Sequence, residues 1–266
     1  MLYSLADITT AVAQAKAIGA TAMGPLLDGN LETAVGVAAT LDQTLAAQLI
    51  CWLNFDHAGD LWKRPDVRTV VNDPKYPHVG LELAVELGSG MSAEAWRTQA
   101  ITTGKEISAA FPDRPFRIGL PDGGRNPGPA IKYGKDVLAG IGHRAGCWFA
   151  PQAYWSKTSG WYQSLASSGL PTGAAPFRSG INGTLDAIRY LASLAEAWGV
   201  GTDMVDHVGL TGQAEILEVA LALGMPAQSW ALSGDGMGNN LFSGGVLTQA
   251  GLEVQRVFLR YPRIAL

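Results

Sequence analysis

Two glutamates four residues apart stand in the run Val79-Gly80-Leu81-Glu82-Leu83-Ala84-Val85-Glu86. Alternate residues of an extended strand share a face, so Val79, Leu81, Leu83 and Val85 form one apolar face. Glu82 and Glu86 fall on the other. At about 3.3 Å per residue their positions lie roughly 13 Å apart along the strand, Glu82 deep and Glu86 toward its carboxyl end. The run Phe116-Arg117-Ile118-Gly119-Leu120-Pro121 repeats the pattern, with Arg117 opposite in parity to Phe116, Ile118 and Leu120. A carboxylate carried into an interior needs a counter-charge, which assigns Glu82 to an ion pair with Arg117. Glu86 lies nearer the end of its strand and is the candidate general acid/base. Donating a proton near neutral pH requires a carboxyl whose pKa is raised by partial burial.

Other apolar runs end in polar or aromatic residues of the same kinds. Asn54 and Asp56 close one, Asp122 follows another, and Gln152, Tyr154 and Trp155 end a third. Gln213 follows a fourth run, Trp230 stands on a fifth, and Asp235 and Asn239 follow it. Sugar rings present apolar faces and hydroxyl edges, so a site for them combines aromatic platforms with amides and carboxylates. Tyr154, Trp155 and Trp230, with Trp52 and Trp62, are the candidate platforms. Asn54, Asp56, Gln152, Gln213 and Asn239 are the candidate hydroxyl partners. Glycoside hydrolysis uses two carboxyl groups about 5–10 Å apart, and Asp122 or Asp235 is the expected partner of Glu86.

These residues need a scaffold that gathers the ends of many strands. Eight apolar runs qualify as strands: 2–5, 21–27, 49–55, 79–86, 116–121, 147–154, 205–211 and 227–232. Between them, 8–18, 93–111, 130–141, 185–198, 214–223 and 247–261 carry apolar residues at three- and four-residue spacing, the helical period. Ser92 is placed to cap one of these helices, and Pro112 ends it. Alternating strand and helix over the whole length predicts a parallel sheet, and eight units predict a closed (β/α)8 barrel, a TIM barrel. A single domain spanning 1–266 is expected, with an elaborated loop at about 156–183. No G-x-G-x-x-G follows the first run, which argues against an open dinucleotide-binding sheet. Barrel sites lie at the carboxyl ends of the strands, where the residues above are placed.

In architecture the chain resembles the TIM-barrel glycoside hydrolases. The resemblance implies an acid/base glutamate after the fourth strand, matched by Glu86, and an aromatic residue on the eighth, matched by Trp230. It also implies a nucleophilic glutamate at the end of the seventh strand. Leu210-Thr211-Gly212-Gln213 stands there instead, and Val85 replaces the asparagine usual before the acid/base.

Two further readings fit the same mouth. One is a barrel that binds glycan or a partner protein without turnover, such as a bacteriophage tail or other virion component. Leu241, Phe242, Leu170 and Phe177 would then supply an apolar docking stretch. The other is a Mg²⁺-dependent lyase or isomerase using Asp56, Glu86 and Asp122. The four histidines have no zinc-binding spacing, and neither a bound metal nor a cofactor is expected.

Composition bounds the rest. The 266 residues are 47% hydrophobic and 16% charged, with 33 glycines and a net charge of −4. That excludes a disordered chain and offers no basic footprint for nucleic acid. No apolar run reaches the roughly 18 residues of a membrane span. Two cysteines make no disulfide framework. The first ten residues hold no basic residue, so no signal peptide is expected, and the location expected is cytoplasmic or virion-associated.

Overall fold

The computed structural model describes residues 5–25, 27, 29–56, 61–84, 92–120, 128–141, 147–153, 201–202, 204–206, 213–222, 227–229 and 241–261. Helix α1 (Leu5–Ala17) precedes strand β1 (Ala22–Met23), and α2 (Ala34–Ala46) leads to β2 (Ile50–Asp56). Helix α3 (Pro65–Asn72), β3 (Val79–Ala84), α4 (Ala93–Ala110), β4 (Phe116–Leu120), α5 (Gly128–Ile141) and β5 (Cys147–Ala153) continue the alternation. Then come β6 (Gly201–Thr202), β7 (Met204–Asp206), α6 (Gln213–Ala222) and β8 (Ala227–Ser229). A hairpin of β9 (Phe242–Ser243) and β10 (Val246–Leu247) precedes the last helix, α7 (Gln249–Arg260).

The strands form one parallel sheet in the order β1-β2-β3-β4-β5-β7-β8, with β6 also on β5. Trp148 pairs with Gly201 and Gln152 with Val205. The offset is the same in both, so β6 and β7 are two stretches of one strand line. Strands consecutive in the chain are thus neighbours in space, as a barrel requires. Of the eight strands expected, seven are present in this order. For the remaining run, 2–5, Leu5 opens α1 while 2–4 lie outside the described residues, as do the expected helix 185–198 and the loop at 156–183. The strand expected at 21–27 shrinks to β1. Pro25, which has no N–H to donate, follows two residues later.

Local signals end the helices where the sequence places them. The Ser92 hydroxyl accepts from the Ala95 N–H at 3.1 Å, and Thr33 and Thr248 cap α2 and α7 in the same way. The last helix starts two residues later than its periodicity suggests, because Leu247 belongs to β10. The hairpin turns on Gly244 and Gly245, both at positive φ, as a two-residue hairpin demands. Leu241 and Phe242, expected as exposed docking residues, are 1% and 4% exposed. The hairpin folds them inward, and this corrects that part of the sequence reading.

Strand parity separates two interiors. Cys51, Leu53 and Phe55 of β2, Val79 and Leu81 of β3 and Phe116 of β4 share a cluster with the helices, including Leu41, Val67, Trp96, Ile107 and Val137. Phe55 stacks on Phe111, with ring centroids 5.9 Å apart. The alternate residues belong to the other face, the inside of the barrel. Register carries that face from strand to strand. Trp52 pairs with Gly80, and one row runs Asn54–Glu82–Arg117–Trp148–Gly201. Above it lies Asp56–Ala84–Gly119–Ala150, and further round Gln152–Val205–Gln228.

The first and last helices come together. Ala11 and Ala15 of α1 pack with Met23 of β1. Gln255 of α7 donates to the Ala17 carbonyl at 2.5 Å, and Leu259 lies against Gly19. Arg260 of α7 pairs with Glu218 of α6. The first and last helices meet, whereas an open sheet would hold them at opposite edges. At the amino-terminal edge, buried Arg114 donates to the carbonyls of Tyr76 and Asp73. Asn72 reaches the Ala110 carbonyl at 3.0 Å, and Asp42 receives both the Tyr76 hydroxyl and the Lys75 ammonium. That end of the barrel is tied by side chains bonded to backbone and to one another.

Three outcomes test this packing. A Cβ at residue 80 would lie 2.4 Å from Cε3 and Cζ3 of Trp52, so Gly80→Ala should cost about 1–3 kcal/mol in urea unfolding. The cost should shrink in a Trp52→Leu background. Glu82 is 1% exposed, and Arg117 is its register partner and the one basic residue on the interior face of the described strands. Glu82→Gln and Arg117→Met should each cost about 3 kcal/mol, with the double variant far less than the sum; additive losses would show that the two charges are not coupled. Burial pushes the Cys51 thiol up to about 12. It should resist iodoacetamide at pH 8 in the native protein and react in urea, as read by peptide mass mapping.

Candidate functional site

All strands of the sheet run parallel, so their carboxyl ends share one edge. The sequence concentrates its chemistry there. Asn54 and Asp56 occupy interior-parity positions of β2, Asp56 as its last residue. Gln152 holds the equivalent place on β5, in one row with Val205 and Gln228. Gln213 is the first residue of α6, beyond the end of β7. The register thus puts Asp56 beside Ala84, the last residue of β3, with Gly119 next in the row. Small residues at 84, 119 and 150 leave that level of the barrel free of bulk on three successive strands.

Glu86 is the second residue beyond β3, and Asp122 the second beyond β4. Both lie outside the described residues, as do Tyr154, Trp155, Trp230, Asp235 and Asn239. Of the residues expected at the site, Asn54, Asp56 and Gln152 lie on described strands, all at interior-parity positions but in three different rows. Trp52 and Trp62 are not open platforms. They are 3% and 7% exposed, Trp52 inside the barrel against Gly80 and Trp62 in the helix-facing core.

The side chains described at this edge build a corner that sequence reasoning missed. After β1 the chain makes a 3₁₀ turn at Gly29–Glu32, and after β2 another at Leu61–Lys63. Leu27, Leu31 and Trp62 anchor both segments in the core. Arg64 then joins them. Its Nη1 donates to the Glu32 carbonyl at 2.8 Å, and its Nε and Nη2 donate to both carboxylate oxygens of Asp66, at 3.1 and 2.6 Å. The Arg64 bonds hold the Asp66 carboxyl below the usual carboxylate range. The Lys63 ammonium stands 5.2 Å from the Trp62 ring centroid. A local signal existed in Arg64-Pro65-Asp66 at a helix start, since Pro suits the first helical position. The reach back to Glu32 spans 32 residues and left no local trace.

Among the described residues no group of three or more His, Cys, Asp and Glu side chains is placed to hold a metal ion. Of the three carboxylates considered for Mg²⁺, only the backbone of Asp56 is described. Among the described residues, no helix is long and apolar enough to cross a membrane.

Comparison with known proteins places the fold. No family model matches the chain, and no curated protein matches it. Solved structures do. A beta-mannanase from Streptomyces thermolilacinus, solved with mannohexaose, superposes with a TM-score of 0.72 over 94% of this chain and 83% of its own, at 18% identity. The endoglucanase of Thermotoga maritima covers 94% of this chain and 89% of its own, with a TM-score of 0.60 and 9% identity. Cellulose synthase subunit Z from Clostridioides difficile covers 94% and 91%, with a TM-score of 0.61 and 13% identity. With the sequential parallel sheet and the meeting of the first and last helices, these likenesses establish the fold of this chain as a (β/α)8 TIM barrel.

Proposed function

We propose that this barrel binds a β-linked hexose polysaccharide of the mannan or glucan class along its carboxyl-edge rim and hydrolyses it with Glu86 as general acid/base. The observation that carries the reading is the likeness, over nearly the whole chain, to barrels from a beta-mannanase, an endoglucanase and a cellulose synthase subunit. Barrels of one fold serve many chemistries, so the site residues must support the choice. The rim sequence is suited to sugar: carboxylates at Asp56, Glu86, Asp122 and Asp235, amides at Asn54, Gln152, Gln213 and Asn239, and rings at Tyr154, Trp155 and Trp230.

In this mechanism Glu86 protonates the glycosidic oxygen as the bond to the anomeric carbon breaks. Asp122 or Asp235 acts from the other face of the sugar, as nucleophile or as base toward water. A separation of about 5.5 Å between the two carboxyls means retention of configuration, and about 6.5–9.5 Å means inversion. The aromatic rings hold the apolar sugar faces, and the amides take the hydroxyls.

A second reading, a glycan-binding barrel without turnover, is favoured by one observation. Gln213, opening α6, stands in the stretch where the resemblance implies a nucleophilic glutamate, and an amide cannot serve as one. Incubation with glucomannan, with reducing sugar as readout, separates the two. The hydrolase reading expects release that Glu86→Gln lowers by at least about 100-fold, with an unchanged melting temperature and retained binding. Release that survives Glu86→Gln would overturn the assignment. Retention on a mannan or cellulose column without release would establish the binding reading. A chelator should change nothing; loss of activity in EDTA would favour metal chemistry at Asp56, Glu86 and Asp122.

A further inference from the structure

We infer that residues 29–33, after β1, and 61–64, after β2, form one rigid wall of the binding rim, and that Arg64 is the positioning residue that makes them one unit. The inference rests on the glycan reading for what the wall binds, but not for the coupling itself. Both segments leave the carboxyl edge of adjacent strands, since β1 and β2 pair in parallel through Ala22–Ile50 and Met23–Cys51. Each is fastened from below by a buried apolar side chain, Leu31 at 0% and Trp62 at 7% exposure. Apolar anchors fix depth, but they are non-directional and do not fix one segment's height or angle against the other. The Arg64 guanidinium does.

Its planar fork is satisfied on two sides. One nitrogen serves the Glu32 carbonyl in the first segment, and two serve Asp66 at the start of α3. The bidentate contact fixes the plane of the guanidinium, so the bond to Glu32 has a defined direction. Glu32 immediately precedes Thr33, whose hydroxyl caps α2 through Gly36. The chain from α2 through Glu32 and Arg64 to α3 is therefore bonded without a gap. β2, which ends in Asp56, lies between these two helices in sequence and precedes the second segment. A wall of this kind lets the rim meet an extended polysaccharide without first paying the ordering cost of two free loops.

Lysine cannot replace this arrangement, because a single ammonium has no planar fork. Three proteins decide the question: wild type, Arg64→Met and Arg64→Lys. Hydrogen exchange at residues 29–33 and 61–64 reads the coupling, and calorimetric titration with mannohexaose and cellohexaose reads the wall. In Arg64→Met, exchange should rise about tenfold in both segments together while the global melting temperature moves little. Affinity for the hexaose that wild type binds should fall about three- to tenfold, with the kinetic effect larger on KM than on kcat. Arg64→Lys should fall between. Exchange that rises in the second segment alone, or not at all, overturns the coupling. Exchange that rises in both while affinity is unchanged overturns the wall. A wild type that binds neither hexaose removes the glycan reading, and the exchange data still decide the coupling.

Discussion

The indole of Trp52 occupies the space that a side chain at residue 80 would need, and the remainder of the barrel interior follows from that contact. It pins β2 against β3 in one register. Slipping a parallel strand by one residue would turn every side chain to the opposite face, exposing Leu53 and Phe55 to the barrel interior and bringing Asn54 and Asp56 to the helices. With the register held, Glu82 falls beside Arg117 and Asp56 beside Ala84. A lone interior carboxylate costs several kcal/mol, so the charge row penalises any other pairing of β3 with β4. Steric fit and charge enforce the same alignment.

The two edges of the barrel are built differently. At the amino-terminal edge, Arg114 and Asn72 donate to backbone carbonyls of neighbouring connections, and Asp42 joins α2 to the loop before β3. These bonds join elements that are far apart in sequence. At the carboxyl edge β2, β7 and β8 end in Asp56, Asp206 and Ser229, and the fastening moves outward to the Arg64 corner. Among the described residues, the side-chain bonds of the amino-terminal edge and the Arg64 corner lie on opposite sides of an interior that holds Trp52 and Glu82. That division is the usual economy of a barrel.

Much of this was legible in the chain alone. The seven strands that form the ordered sheet lie within or across runs read from apolar alternation, and Ser92 caps α4 as its side chain suggests. Parity placed Glu82 and Arg117 on one face, and the sheet makes them register partners. Other elements were not legible. Leu241 and Phe242 look like surface residues in a glycine-rich stretch, but a hairpin turns both inward. Trp52 and Trp62 look like platforms because the type of a side chain does not reveal its depth. Arg64 gives no hint of Glu32, because a guanidinium finds a carbonyl across space and not along the sequence.

By itself the sequence determined the periodic features: which residues alternate, which stretches carry a helical period, and which polar residues stand near strand ends. Those are set by steps of two and 3.6 residues and by side chains that cap their own backbone. Only the tertiary structure decided how strands pair, which aromatic rings are buried and how two loops after neighbouring strands are joined. These depend on contacts between residues far apart in the chain, whose free energy is felt only once the barrel has closed.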